Sequence, residues 1–214
     1  MTTTLSAPDA FMLLAPGCAH CPIVLASLSE LLKRGLIGRL EIVNIHSHPE
    51  IAQQHGVRSV PWVRVGEFAL SGARTTAELE RWAQRTGSAQ GRADYLSYLL
   101  KGGQLNQAIA AVDANELYVE ALLLLLADTQ TDMHVHVGIG AIFEHLQGSA
   151  VLRHYVDALG ALTRHADARV RADACHYLSL TGDASALRFI KPLLNDVDAQ
   201  VRDIARDSEA EFES

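Results

Sequence analysis

The chain has 214 residues, of which 49% are hydrophobic, so it is long and apolar enough for one large or two small packed domains and is not a disordered chain. The formal net charge is −7, but residues 1–91 hold 8 basic and 7 acidic side chains, whereas residues 92–214 hold 10 and 18. Nucleic-acid binding needs a clustered basic surface, which the acidic second half lacks. We therefore expect no nucleic-acid partner.

No segment of the sequence has the character of a targeting or membrane-spanning element. Residues 1–8 lack the basic region and the apolar core of a secretory signal. The longest apolar run, residues 119–127, is interrupted by Glu120 and is far shorter than the roughly 20 apolar residues that a membrane-spanning helix needs. We expect the leucine run at residues 122–126 to form a buried helix, and the protein to be cytoplasmic with no membrane contact.

The first predicted elements are a buried strand at residues 11–14 and an amphipathic helix that follows the pair Cys18 and Cys21. The apolar residues of that helix recur at helical spacing, at Ile23, Leu25, Leu28, Leu31 and Leu32. Cys18 thus lies where a strand turns into a helix, and the unpaired N–H groups of a helix start would stabilise its thiolate and lower its pKa from about 8.5. Cys21 lies about one turn further on, close enough for a disulfide, and Pro22 fits the first turn.

A lone Cys-x-x-Cys pair is typical of two kinds of site, a redox-active disulfide and half of a zinc site. A structural zinc usually has four protein ligands, and no second cysteine pair or Cys/His pair at finger spacing follows Cys18 and Cys21. The third cysteine, Cys175, lies far away in a different kind of sequence. We therefore favour redox chemistry and expect no metal. In a reducing compartment, a cysteine pair of this kind typically alternates between dithiol and disulfide and does not serve as a permanent crosslink.

The next segments complete a mixed α/β pattern. Alternating apolar residues predict a strand at residues 40–45, and a short helix that follows it stops at Gly56. Two further strands, at residues 60–66 and 67–72, precede a capped helix at residues 75–86. The predicted order is therefore βαβαββα.

This order and two motifs resemble the thioredoxin and glutaredoxin superfamily over residues 9–87. The motifs are the Cys-x-x-Cys pair after the first strand and the segment Gly-Val-Arg-Ser-Val-Pro before the third, at residues 56–61. The resemblance implies that Pro61 is a cis-proline facing the disulfide and that the Val60 backbone lies beside the sulfur, where a client peptide could pair as an added strand. Val60, Pro61 and Trp62 are thus the expected substrate-binding residues. From the residues alone, Pro61 could also be an ordinary edge-strand proline.

The chain departs from thioredoxin at several positions. Gly17 stands where thioredoxins usually have tryptophan, Met12 occupies the position of their buried aspartate, and Trp62 replaces the threonine common after the cis-proline. No buried carboxylate is then available to help deprotonate the second cysteine. Pro22, directly after that cysteine, is similar to glutaredoxin-like modules and to the N-terminal domain of the alkyl hydroperoxide reductase flavoprotein. His20 is similar to the histidine of disulfide isomerases, where it favours the thiolate, although a histidine in a turn is also often only a solvated side chain.

Beyond a short polar link at residues 88–91 the pattern is helical throughout. Helical spacing covers eight segments, at residues 93–100, 104–112, 116–127, 133–146, 151–163, 169–180, 186–194 and 200–211. The pattern Asp-x-x-Val followed by His or Arg recurs from Asp132, Asp167 and Asp198, at spacings of 35 and 31 residues. A repeat of that period predicts stacked helical hairpins.

The last copy of this pattern, within residues 192–205, resembles the HEAT-repeat signature, and the resemblance covers roughly residues 115–211. In such a repeat the Asp caps a helix, the Val enters the core, and the Arg reaches a neighbouring carboxylate or carbonyl. HEAT folds bind proteins far more often than they catalyse reactions. His134 and His136 point to different helix faces and do not predict a metal pair. Cys175 is expected to be a buried apolar residue, the alternative being a resolving or sensor thiol.

The sequence therefore predicts an α/β thioredoxin fold at residues 1–87 and an all-α, HEAT-like helical-hairpin solenoid at residues 92–214. We expect a thiol-disulfide oxidoreductase in which Cys18 is the nucleophile and Cys21 the resolving thiol. The residues expected to modulate this pair are Gly17, His20 and Pro22. The helical domain would bind a protein client with a disulfide, and no cofactor is expected beyond the cysteine pair, with glutathione or a thioredoxin-reductase-type donor as reductant. The alternative is a non-enzymatic scaffold protein whose cysteine pair senses redox state.

Overall fold

The computed structural model describes residues 7–212, which form two compact units that divide between Gly91 and Arg92. Residues 1–6, part of the segment considered for a secretory signal, lie outside the described residues. The predicted polar link at residues 88–91 is not an extended linker, because a helix begins at Ala89. Ala89 and Gln90 in this stretch are good helix formers.

The first unit is an α/β domain in which the predicted element order is confirmed. Its strands are β1 (Ala10–Leu14), β2 (Leu40–Asn44), β3 (Trp62–Val65) and β4 (Phe68–Ser71), and its helices are α1 (Cys21–Lys33), α2 (Pro49–Gln54) and α3 (Thr76–Arg85). The strands form one sheet in the order β2-β1-β3-β4. β1 is parallel to β2 and antiparallel to β3, and β4 is antiparallel to β3.

The topology brings two loops to one edge of the sheet. β1 and β2 are parallel, so the segments that follow them share an edge, and the antiparallel β3 begins at that same edge. Leu13, near the end of β1, accordingly pairs with Trp62 at the start of β3. The loop at residues 15–20 after β1 and the Val60–Pro61 segment before β3 therefore lie at one edge of the sheet.

Alternation along β1 divides its side chains between the two faces of the sheet. Phe11 and Leu13 lie on one face, where they pack with Ala52 of α2 and with Trp62 in a single apolar cluster. Met12 points to the opposite face and is fully buried. α1 and α3 pack against each other and against the sheet on that face.

The second unit is built from helices. They are α4 (Ala89–Lys101), whose first turn precedes the division, α5 (Leu105–Ala114), α6 (Leu117–Ala127), α7 (Met133–His145), α8 (Ala150–His154), α9 (Val156–Leu162), α10 (Ala168–Leu180), α11 (Leu187–Leu193) and α12 (Ala199–Ala210). The prediction of a single helix at residues 151–163 is wrong. Two helices are present instead, because Tyr155 leaves the helical conformation (φ −99°, ψ 11°) and donates a hydrogen bond from its hydroxyl to the Glu116 carbonyl.

The repeated Asp pattern has the local structure predicted for it. The side chains of Asp132, Asp167 and Asp198 each accept a hydrogen bond from the backbone N–H two residues further on, which caps α7, α10 and α12. The valines three positions after these aspartates are buried. Arg171 donates two hydrogen bonds to the Asp196 carboxylate, as expected for the arginine of this pattern.

Candidate functional site

A disulfide joins Cys18 and Cys21 in the turn between β1 and α1, with the two Cα atoms 5.5 Å apart. The Cys18 N–H donates to the Ala15 carbonyl, and the Cys21 N–H donates to the Cys18 carbonyl, both at 3.3 Å. Cys18 is partly exposed, whereas Cys21, the first residue of α1, is only 4% exposed. The turn therefore presents one cysteine to solvent and buries the other.

The start of α1 faces this turn without a side-chain cap. His20 occupies the N-cap position and makes no capping hydrogen bond, and Pro22 lies in the first helical turn, as predicted. Proline has no N–H to leave unpaired there. Because the uncapped end of a helix carries partial positive charge, an anion at this turn is stabilised.

Gly17 explains one departure from the thioredoxin sequence. Its φ of +76° lies in the left-handed region, which a side chain other than glycine adopts only with strain. The tryptophan that thioredoxins usually carry at this position would thus be strained in the conformation that the turn adopts here.

The turn and the first part of α1 carry no Lys, Arg, Asp or Glu over residues 15–29. Ile23, one of the apolar residues at helical spacing, is 63% exposed beside the cysteines. The buried face of α1 instead follows Cys21, Val24, Leu28 and Leu31. Periodicity identifies an apolar stripe, but the position of the sheet decides which edge of the stripe is covered.

The Val60–Pro61 peptide bond is cis. Pro61 is buried and its carbonyl accepts a hydrogen bond from the Gly72 N–H at 2.8 Å. Val60 is half-buried and packs against the apolar cluster on the α2 face of the sheet.

Trp62, one of the three expected substrate-binding residues, has a buried side chain. It is 7% exposed and belongs to the apolar cluster that contains Phe11 and Leu13. This burial follows from the register, because Trp62 pairs with Leu13 and shares its face of the sheet.

Sequence reasoning missed His55, which lies at the end of α2. Its ring stacks on Trp62 and also contacts Phe11, with ring centroids 5.4 Å apart in both pairs. Burial, together with the charge of Arg64, lowers the pKa of His55 from its ordinary value of 6.5. The signal available in the sequence was only its position before Gly56, which is typical of a helix end.

Cys175 is fully buried in α10, as predicted for a small apolar residue. Burial raises the pKa of its thiol to about 11, and a hydrogen bond with Ser208 offsets only part of that rise. The thiol is therefore protonated and shielded at neutral pH, which disfavours the alternative of a sensor thiol.

His134 and His136 are held by different carboxylates. His134 contacts Asp132 at 3.3 Å on an exposed surface, whereas His136 contacts Asp173 of α10 at 2.8 Å. Across residues 7–212, no three His, Cys, Asp or Glu side chains are grouped so that they could hold a metal ion. The two histidines thus do not act as a pair.

Fold and site together define a protein with a thioredoxin-fold domain, which carries a Cys-x-x-Cys disulfide, followed by an all-α domain. Residues 10–84 match the family model of the thioredoxin domain. No curated protein sequence matches the chain. Within the described part of the chain, every helix is too short or too polar to cross a membrane.

Proposed function

We propose that this protein is a thiol-disulfide oxidoreductase that acts on a protein disulfide through Cys18 and Cys21. The observation that carries the proposal is the unequal exposure of the two cysteines within one disulfide, since Cys18 is partly exposed and Cys21 is buried. An incoming client disulfide can reach the first sulfur and not the second. This supports attack by Cys18 and resolution by Cys21.

In the reduced protein, the Cys18 thiolate attacks one sulfur of the client disulfide. A bond forms between them as the client S–S bond breaks, and the other client sulfur leaves as a thiolate. The Cys21 thiolate then attacks Cys18 Sγ, which releases the second client sulfur and leaves the Cys18–Cys21 disulfide. The client gains the two electrons that the protein loses, and glutathione or a thioredoxin-reductase-type donor would return the protein to the dithiol.

The neighbours of Cys18 support this role. The uncapped start of α1 would stabilise the thiolate, and His20 adds a titratable group between the two cysteines. Gly17 permits the turn, and Pro22 begins the helix without an unpaired N–H. The absence of Lys, Arg, Asp and Glu over residues 15–29 would suit a client whose disulfide lies in an apolar stretch.

In this proposal the client pairs with the Val60 backbone as an added strand. The Val60–Pro61 segment directly precedes β3 at the edge of the sheet where the cysteine turn lies. Trp62 would anchor the segment from within the core.

Client selection is assigned to the helical unit, which we propose to be HEAT-like. The Asp-capped helices that recur along it, and its excess of acidic over basic residues, support a repeat array with an extended protein-binding surface. Docking there would raise the effective concentration of the client disulfide at Cys18 without any change in thiol chemistry. In this proposal the protein works in the cytoplasm and has neither a membrane nor a nucleic-acid partner.

The test is catalytic reduction of insulin by the full chain, with glutathione or thioredoxin reductase as donor. Turnover supports the oxidoreductase, whereas a scaffold that only senses redox state would show none. A Cys21→Ser variant should trap clients as mixed disulfides that mass spectrometry identifies. Residues 1–88 alone, with both cysteines, should keep activity on a small disulfide, whereas the Cys21→Ser trap in that truncated form should lose most partners. An unchanged partner set would refute client selection by the helical unit.

A further inference from the structure

Three aromatic rings pack together beside the segment that precedes β3. The His55 ring stacks on Trp62 with their planes at 26°, and it lies tilted at 52° against Phe11. Phe11 and Trp62 meet edge to face with centroids 6.1 Å apart. Both of these residues are buried, whereas His55 is exposed at the end of α2. A titratable side chain therefore covers two rings of the core.

The cationic side chain of Arg64 also lies over the Phe11 ring. The Arg64 guanidinium carbon lies 5.6 Å from the ring centroid, and the sheet register places Phe11 between Arg64 on β3 and Glu41 on β2. α2 itself carries Glu50, and Arg58 follows it in the chain, while β1 contributes only apolar side chains to this face. Protonation of His55 would bring a second positive charge to a ring that Arg64 already occupies.

We propose that neutral His55 is a positioning residue for the Val60–Pro61 segment and that its protonation weakens the binding of a protein client there. Trp62 directly follows this segment, and Val60 packs against the same apolar cluster, so the position of the segment depends on how the three rings pack. The inference rests on the proposed function, because the segment has this role only if a client pairs with it.

Protonation weakens the cluster for two physical reasons. The imidazolium needs water that the stacked ring cannot reach on its Trp62 side, and it is repelled by Arg64. Both effects act in the direction that already lowers the pKa of His55. The neutral form, and with it the packed cluster, is therefore complete above the ordinary pKa of 6.5 and is lost as the pH falls through the lowered value.

The test compares full-length wild type with His55→Phe, which keeps an aromatic ring that cannot be protonated. The substrate is a synthetic peptide with one intramolecular disulfide, assayed at pH 7.5 and 5.5. The wild-type KM should rise more on acidification than the KM of the variant, because only the wild type gains a positive charge in the aromatic cluster. Activity on hydroxyethyl disulfide should depend on pH in the same way in both proteins, because it follows the Cys18 thiolate.

His48→Phe is the matched control. His48 lies at the other end of α2 with a side chain that is 60% exposed, and its loss should leave the change in KM at the wild-type value. Equal changes in KM for wild type and His55→Phe would overturn the proposal.

A spectroscopic readout separates this inference from the proposed function. In a Trp82→Phe background, the emission of Trp62 should titrate with a midpoint below 6.5 and should lose that titration in His55→Phe. Absence of turnover on any disulfide would refute the oxidoreductase and the client role of His55 together. The titration of Trp62 would then still decide whether His55 is coupled to the core, and a flat profile in the presence of His55 would refute that coupling.

Discussion

The two units use charged side chains in opposite ways. In the first unit, the turn and helix that carry the disulfide have no Lys, Arg, Asp or Glu over residues 15–29. In the second unit, charged groups are built into the turns between helices. Arg171 donates two hydrogen bonds to Asp196, with only 12% and 9% of the two side chains exposed, and two more to the carbonyls of His165 and Ala166.

This difference indicates that the residues that set the reactivity of the disulfide and the residues that stabilise the helical fold lie in different units. The reactive turn of the first unit lies at the surface, so substitutions there should alter chemistry while the sheet remains folded. The Arg171–Asp196 ion pair of the second unit is buried between helices, so substitutions there should alter stability and leave the chemistry of the disulfide unchanged. The following variants test that division, beginning with the largest effect.

Cys18→Ser should lower the rate of disulfide reduction by about a thousandfold or more, because the attacking sulfur is lost. Cys21→Ser should still attack but accumulate the mixed disulfide. Cys175→Ser is the control, since burial raises the pKa of that thiol to about 11, and it should reduce insulin at the wild-type rate. The measurement is insulin reduction together with intact-mass analysis, and a comparable loss in Cys175→Ser would show that the second unit takes part in the chemistry.

Arg171→Ala should lower the free energy of unfolding by about 3 kcal/mol, because it leaves the Asp196 carboxylate buried without its partner. Arg169→Ala removes an arginine two positions away whose side chain is 67% exposed, so this variant should be nearly as stable as the wild type. Urea denaturation measures both. Reduction of a small disulfide should be unaffected in either variant, and a loss there would contradict the division between the units.

The same ion pair should make the free energy of unfolding of the second unit depend on pH in the acidic range. Hydrogen bonding to Arg171 lowers the pKa of Asp196 from its ordinary value of 3.8, so the folded state binds fewer protons than the unfolded state just below that value. The stabilisation is therefore complete above about pH 3.8 and is lost as the pH falls through the lowered pKa. Urea denaturation between pH 5 and 2.5 should show this loss in wild type and a shallower one in Arg171→Ala.

Removal of a helix cap should lower the free energy of unfolding by a similar amount in both units. Thr75 and Glu78 form a reciprocal capping box at the start of α3, and Asp198 caps α12 through two backbone N–H groups. Thr75→Ala and Asp198→Ala should each cost about 1 kcal/mol, because each leaves helix N–H groups without a partner. A much larger loss for Asp198→Ala would show that the cap belongs to the charged network around Arg171 rather than acting locally.

Features that depend on neighbouring residues along the chain could be predicted from the sequence. The order βαβαββα, the turn that carries Cys18 and Cys21, and the caps at Asp132, Asp167 and Asp198 all follow from local spacing and side-chain chemistry. A helix cap joins atoms only two or three residues apart, and a strand-to-helix turn is set by the residues within it. These elements could therefore be predicted before any packing was known.

Which side chains of these elements are buried depends on how the elements pack against one another. Ile23 lies on an apolar stripe yet is exposed beside the disulfide, whereas Trp62 is buried because β3 pairs with β1 in a register that places it beside Leu13. The break at Tyr155 and the stacking of His55 on Trp62 likewise depend on partners distant in sequence. Periodicity within one segment shows that an apolar face exists, but the elements that pack against it decide what that face contacts, and so which residues are left for a client.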